Sequence, residues 1–296
     1  MAETNDEKTL KKVRCIQRSA DRHWVGDGFP VRTLFAYSNL GAVISPFLLF
    51  DYAGPMEFGP TNERRGVGEH PHRGFETITI VYEGEVEHRD SSGGGGRIGP
   101  GDVQWMTAAS GLVHEEFHGR DFARRGGMFE MVQLWVNLPA KDKRAPPGYQ
   151  AITISEIPTV TLTGQAGVAR VIAGELAGSR GPARTFTPMH VWDLRLKGER
   201  QAQLSVPDGW TTALAVLRGR VSANDSEPIG PAEIALFDRA RERIRIDSAT
   251  DATALLLCGE PIDEPIVGQG PFVMNTAAEI RQAIVDYQIG KMGHLH

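Results

Sequence analysis

His70 and His72 flank a proline, and His114 and Glu116 flank a glutamate. On a β-strand, residues i and i+2 project to the same face. Each pair therefore presents two metal-ligating groups side by side. Imidazole and carboxylate together suit borderline divalent metals. Two strands carrying these pairs could surround one ion with three imidazoles and one carboxylate. On an octahedral ion, four protein ligands leave two positions open, as a small oxidant or a chelating substrate requires. Neighbouring residues offer alternatives. Glu76 has the parity of His72 and rivals Glu116 as the carboxylate ligand, although Arg73-Gly74 could interrupt the strand between them. His118 shares the parity of His114 and Glu116 and could line the pocket or replace a ligand. Phe75, Trp105 and Met106 lie close in sequence, as pocket wall or as core. Glu115 is expected in solvent on the opposite face, and His88, within the charged stretch 85–90, is expected to be exposed.

The elements that position these groups read as strands. Phe47 to Phe50 and Thr77 to Tyr82 are short, apolar or β-branched runs bounded by turn residues. Gly93 to Gly96 reads as a hairpin loop and Gly99-Pro100-Gly101-Asp102 as a turn. VQWMTAA, LVHEEFH and MVQLWVNLP follow as further strands. The second half continues in the same style, with VWDLRLKG, TTALAVLRGRVSA, AEIALFD and ATALLLCGE. Many short strands point to an all-β barrel or sandwich. The polar, Pro- and Gly-containing stretch 140–149 is the expected linker, which divides the chain into domains 1–140 and 141–296. Near the end, Thr276 and Glu279 form a capping box. Ile280, Ala283, Ile284 and Tyr287 then give one apolar face at helical spacing.

Composition narrows the partners. Among 296 residues, Lys plus Arg number 32 and Asp plus Glu 37, for a formal charge of -5. Nucleic acid and anionic membranes attract a positive field, so neither is the expected ligand. Lys8, Lys11, Lys12 and Arg14 make one short basic stretch, expected to be a solvated segment. No apolar run has the length of a membrane span. The opening MAETNDEKTLKK lacks the apolar core of a secretory signal. Cys15 and Cys258 fit no zinc-finger spacing and are expected as reduced thiols of a cytoplasmic protein. His294 and His296, at the extreme C-terminus, are set aside as a frayed tail.

The motifs HPHRGFET (His70 to Thr77), GDVQWMTA (Gly101 to Ala108) and GLVHEE (Gly111 to Glu116) resemble those of the pirin family of bicupins. LWVNL (Leu134 to Leu138) and GPFVMNT (Gly270 to Thr276) carry the same resemblance, which spans nearly the whole chain. It implies two cupin (jelly-roll) barrels packed face to face, with a C-terminal helix and one mononuclear metal in the N-terminal barrel. The family's ligands map onto His70, His72, His114 and Glu116, which favours Glu116 over Glu76. The implied metal is Fe(II), with Mn, Ni, Co, Cu or Zn as alternatives. The C-terminal half has no H-x-H pair and only His190 in its barrel body, so no second metal is expected. The resemblance implies one of two roles. The first is a quercetin 2,3-dioxygenase, which opens the central ring of a flavonol with O₂ and releases carbon monoxide; Glu116 would take the flavonol proton. The second is a redox-sensitive iron protein that modulates a partner such as a transcription factor or metabolic enzyme.

Overall fold

The computed structural model describes residues 9–18 and 21–295. Lys8 and His296 lie outside the described residues. Contacts divide the chain into two compact units, Met1–Ser19 with Ile157–Pro261 and Ala20–Glu156 with Ile262–His296. This differs from a single cut between residues 140 and 141. Three pairings explain the difference. The Gly148–Ile152 strand pairs with Val103–Thr107, which carries the first barrel on past the expected linker. The Ala277–Gln288 helix packs Ile280 and Ala283 against Phe272, Met274 and Val113 of that same unit. The Val13–Arg18 strand instead pairs with Glu233–Phe237 of the other unit.

The unit built on Ala20–Glu156 consists of two facing sheets. The larger runs in the order Gly148–Ile152, Val103–Thr107, Phe75–Glu83, Gly127–Asn137, Phe47–Phe58, Phe29–Ala36, His23–Val25. The smaller runs Gly66–His72, Leu112–His118, Val86–Asp90, Gly95–Ile98. Phe75–Glu83 is buried along nearly its whole length because it has a strand on each side and cover on both faces. Its run of Thr, Ile and Val suits that position. One end of the space between the sheets is filled by Phe29, Phe58, Val81, Phe122, Phe129 and Met131. The polar residues of interest occupy the other end.

The second unit is another β-barrel, with a seven-stranded sheet from Val13–Arg18 to Thr159–Thr161 and a three-stranded sheet of Arg200–Ser205, Arg243–Ser248 and Val221–Ala223. Its interior is filled by aliphatic side chains such as Leu194, Leu214, Ile244 and Leu256, and by Trp192. Lys11 is not part of a solvated basic segment. It is buried, and its Nζ donates to the carbonyls of Trp210, Asp238 and Arg239 at 3.3, 3.4 and 2.6 Å. Cys15 is exposed, Cys258 is buried, and both are free thiols.

Thr276 caps the Ala277–Gln288 helix as expected, while the Glu279 carboxylate reaches one residue further back than in a capping box. Thr276 Oγ1 accepts from the Glu279 N–H at 3.2 Å, and Glu279 Oε2 accepts from the Asn275 N–H at 3.2 Å. Among the described residues, no helix is long and apolar enough to cross a membrane.

Candidate metal centre

The middle of the smaller sheet carries the histidines. His114 pairs with His70 on one side and with Asp90 on the other, and Glu116 pairs with His88. Directly opposed residues share a face, so all five face the larger sheet. A bulge opens between His114 and Glu116, where Glu116 pairs with Val67. The backbone there lets the His70 Nδ1 meet the Gly68 carbonyl at 2.8 Å. The ring centroids of His70, His72 and His114 lie 4.2 to 5.0 Å apart. Their ligating nitrogens fall within 4.8 Å of one another. A second triad, His88, His114 and Glu116, meets the same spacing and shares His114.

Burial sets the charge of this cluster. His72 and His114 are both held well below the usual imidazole range, first by burial and then by the neighbouring imidazoles. Neutral imidazole is the form that binds metal. His114 Nε2 is buried without a hydrogen-bond partner. An orphaned buried polar atom costs ~1–3 kcal/mol, and a metal bound at the cluster removes that cost. His72 Nδ1 lies 3.4 Å from the Pro271 carbonyl, so Nδ1 of both His70 and His72 faces a backbone oxygen. The donor set fits a divalent metal of the borderline class.

The larger sheet faces this cluster with a polar row. Gln104, Thr79 and Gln133 lie opposite one another on three adjacent strands. All three donate to Glu116. Gln104 Nε2 and Thr79 Oγ1 reach Oε1 at 3.1 and 3.4 Å, and Gln133 Nε2 reaches Oε2 at 2.9 Å. Glu116 Oε1 also lies 4.0 Å from His88 Nδ1. Thr77 Oγ1 and Trp135 Nε1, cross-strand neighbours two residues further along, are buried without partners. The Trp135 ring stands 5.2 Å from His72 and stacks on Phe75 at 4.3 Å.

Two family models match this chain. One, described as Pirin, covers residues 28–136, and one described as Pirin C-terminal cupin domain covers residues 191–293. A Pseudomonas aeruginosa protein named "Putative quercetin 2,3-dioxygenase" is 56% identical, over 97% of this chain and 100% of its own length. This chain belongs to the pirin family. A crystal structure described as quercetin 2,3-dioxygenase from Acinetobacter baumannii superposes with a TM-score of 0.94 at 52% identity, covering 97% of this chain and all of that one. A bacterial pirin from Escherichia coli, solved in complex with nickel(II), shares the fold at 18% identity and a TM-score of 0.62, covering 83% of this chain and 98% of its own. The two barrels described above are therefore the two cupin domains of a pirin.

Several sequence expectations change place in this pirin fold. Gly74 takes φ +91° between His72 and the Phe75–Glu83 strand, and the interruption reverses the parity. Phe75 therefore meets His72, with ring centroids 5.1 Å apart. Glu76 turns to the outer face, where its Oε1 accepts from Thr107 Oγ1 at 2.7 Å. Burial pushes Glu76 up to about 7. Trp105 shares the outer face, because its neighbours Gln104 and Met106 point inward, Gln104 to Glu116 and Met106 to Tyr149. Trp105 is thus core and not pocket. His118 is buried at the far end of the barrel, where it stacks on Phe129 at 4.6 Å and bonds the Gly28 carbonyl at 2.8 Å. It lines no metal pocket.

His88 is not exposed. Its side chain is fully buried, stacked on Tyr149 at 5.2 Å, and its Nδ1 lies 3.2 Å from His114 Nδ1. Burial, with the Glu116 and Asp90 charges, pushes the Tyr149 hydroxyl up to about 12. Glu115 does face away from the cluster, but Arg64 and Arg89 cover it at 3.0 and 2.6 Å instead of water. Gln104, Gln133, Thr79, His88 and Asp90 escaped the sequence reading. The alternation of Val86, His88 and Asp90 was the available signal for the last two.

Proposed function

We propose that this pirin is a mononuclear iron dioxygenase that cleaves the heterocyclic ring of a flavonol such as quercetin with O₂. The observation that carries the proposal is the His114 Nε2, buried and unpartnered beside His70 and His72, with Glu116, which groups with His114 and His88, held by three amide and hydroxyl donors. His70, His72 and His114 would hold the ion through Nε2, and Glu116 through a carboxylate oxygen. A bound divalent ion would supply a Lewis acid that lowers the pKa of a substrate hydroxyl.

The remaining roles belong to the chain. Glu116 takes the proton of the flavonol 3-hydroxyl, as a carboxylate general base within reach of the cluster. Gln104, Gln133 and Thr79 keep that carboxylate from rotating away. Trp135 and Tyr149, both half-buried, supply aromatic surface beside the histidines, and Phe75 backs Trp135 from the core. A flat polyphenol stacks on such surface and displaces water from it. The unpartnered Trp135 N–H offers one donor to a substrate oxygen.

The test is turnover. The protein is loaded anaerobically with Fe(II), mixed with quercetin and O₂, and followed for both flavonol loss and carbon monoxide. Metal-dependent release of carbon monoxide that disappears in Glu116→Gln supports the proposal. One bound iron without turnover would refute the dioxygenase reading and favour a redox-responsive binding protein of the same family.

A further inference from the structure

We infer that Asp90 and His88 are positioning residues for the metal centre: through a two-step hydrogen-bond chain they fix the tautomer of His114. This deepens the metal-centre reading proposed above and rests on it. Neither residue belongs to the group of His70, His72 and His114. Both act through His114.

The chain of protons follows from acceptor chemistry. Asp90 Oδ1 accepts from the Ser92 N–H at 2.8 Å, the Ser92 hydroxyl at 2.6 Å and the Gly94 N–H at 3.0 Å. Its other oxygen, Oδ2, lies 3.2 Å from His88 Nε2. A carboxylate only accepts, and an imidazole with one donor and one acceptor nitrogen that faces it must place its proton on Nε2. His88 Nδ1 then carries a lone pair and needs a donor. The group facing it within hydrogen-bond distance is His114 Nδ1, at 3.2 Å. His114 must therefore be protonated on Nδ1, which leaves the lone pair on Nε2. That is the atom buried without a partner. The reverse tautomer would set two lone pairs against each other at 3.2 Å and aim an N–H at His70 and His72.

The same outcome is reached differently at the other two ligands. Backbone carbonyls of Gly68 and Pro271 accept from Nδ1 of His70 and His72. His114 lies mid-strand between two partner strands, which occupy its flanking backbone groups. Its tautomer is consequently set by a side chain. The alternative triad of His88, His114 and Glu116 needs lone pairs on Nδ1 of both histidines. It is incompatible with a His114 protonated there.

Asp90→Asn inverts the chain with little change of shape. Its amide oxygen would keep the three turn donors on one side, which presents an N–H₂ to His88 Nε2. His88 would then carry its proton on Nδ1, and His114 would carry its own on Nε2. His88→Gln conserves the logic, since one amide donates to Asp90 and accepts from His114. Loss of an outer hydrogen-bond partner of a metal-bound histidine weakens metal binding about 10- to 100-fold.

The experiment has two parts on the full-length protein. Long-range ¹H–¹⁵N NMR of the metal-free protein reports the His114 tautomer. Co(II) titration reports affinity and the ligand-field spectrum. The inference predicts Nδ1–H in the wild type and Nε2–H in Asp90→Asn. It predicts Co(II) affinity lowered about 10- to 100-fold in Asp90→Asn, and near-wild-type affinity and spectrum in His88→Gln. A wild-type His114 protonated on Nε2 would overturn it. So would Asp90→Asn binding Co(II) like the wild type, or a changed spectrum in His88→Gln, which would make His88 a ligand. If the wild type binds no Co(II), the metal-centre reading fails, and the NMR tautomer alone decides the positioning claim.

Discussion

Replacing Glu76 by glutamine separates the two candidate carboxylates by their thermodynamics. Glu76 is buried on the outer face of the large sheet, with one oxygen bonded to Thr107 and Oε2 unpartnered. Burial raises it from an ordinary 4.5 to about 7. The folded chain therefore keeps its proton up to pH about 7, while the unfolded chain releases it near 4.5. Between those values unfolding is accompanied by proton release, so rising pH favours unfolding. The stabilisation is fully present below the unfolded value and is lost as pH rises through the folded one. At ~1.4 kcal/mol per pH unit, the shift amounts to about 3 kcal/mol. Glu76→Gln has nearly the same shape and no proton to lose. The stability gap between the two proteins should widen in favour of glutamine by about 2 to 3 kcal/mol between pH 5 and pH 8. Urea unfolding of both metal-free proteins across that range measures it, and all other titrating groups cancel in the difference. Because Glu76 faces away from the histidines, Glu76→Gln should also retain one equivalent of metal. A pH-independent gap would refute the buried, protonated Glu76. Loss of metal would refute its outward placement.

Three further outcomes follow from the same geometry. Glu116→Gln should weaken metal binding, measured by competition with a chelator, in contrast to Glu76→Gln. Gly74→Ala would place a Cβ 2.0 Å from the Val273 carbonyl at a backbone φ of +91°. It should cost at least about 2 kcal/mol in chemical unfolding and lower metal affinity by displacing His72. Lys143 Nζ donates to Gly74 O, Asn137 Oδ1 and Val273 O at 2.6, 2.6 and 3.0 Å. Lys143→Met strands three buried acceptors and should cost about 3 to 5 kcal/mol in the same unfolding assay.

Much of the candidate site's geometry was legible because strand parity is local. His70 with His72, and His114 with Glu116, needed only the two-residue period. The choice between Glu76 and Glu116 was not legible from spacing. It turns on the conformation of one glycine, Gly74, which reverses the parity of everything after it and sends Trp105 outward with Glu76. His88 was hidden by its charged neighbours Glu87 and Arg89, although Val86, His88 and Asp90 alternate inward like any half-buried strand. The Gln104–Thr79–Gln133 row depends on register between strands far apart in sequence, which no single strand reveals. His118 kept the expected parity but lies four residues beyond His114, which carries it to the phenylalanine-filled end of the barrel. The contact-defined units depart from the expected cut for the same non-local reason. Arg14, expected in a solvated basic stretch, lies in Val13–Arg18, a strand recognisable only through its partner Glu233–Phe237.

The most direct measurement is metal content. Purified full-length protein is loaded with Fe(II) without oxygen, freed of excess metal, and analysed for iron alongside His114→Ala. The account predicts one iron per chain in the wild type and little in His114→Ala, with both proteins folded by circular dichroism. Equal iron in the two proteins, or none in the wild type, would contradict the assignment of the centre to His70, His72, His114 and Glu116.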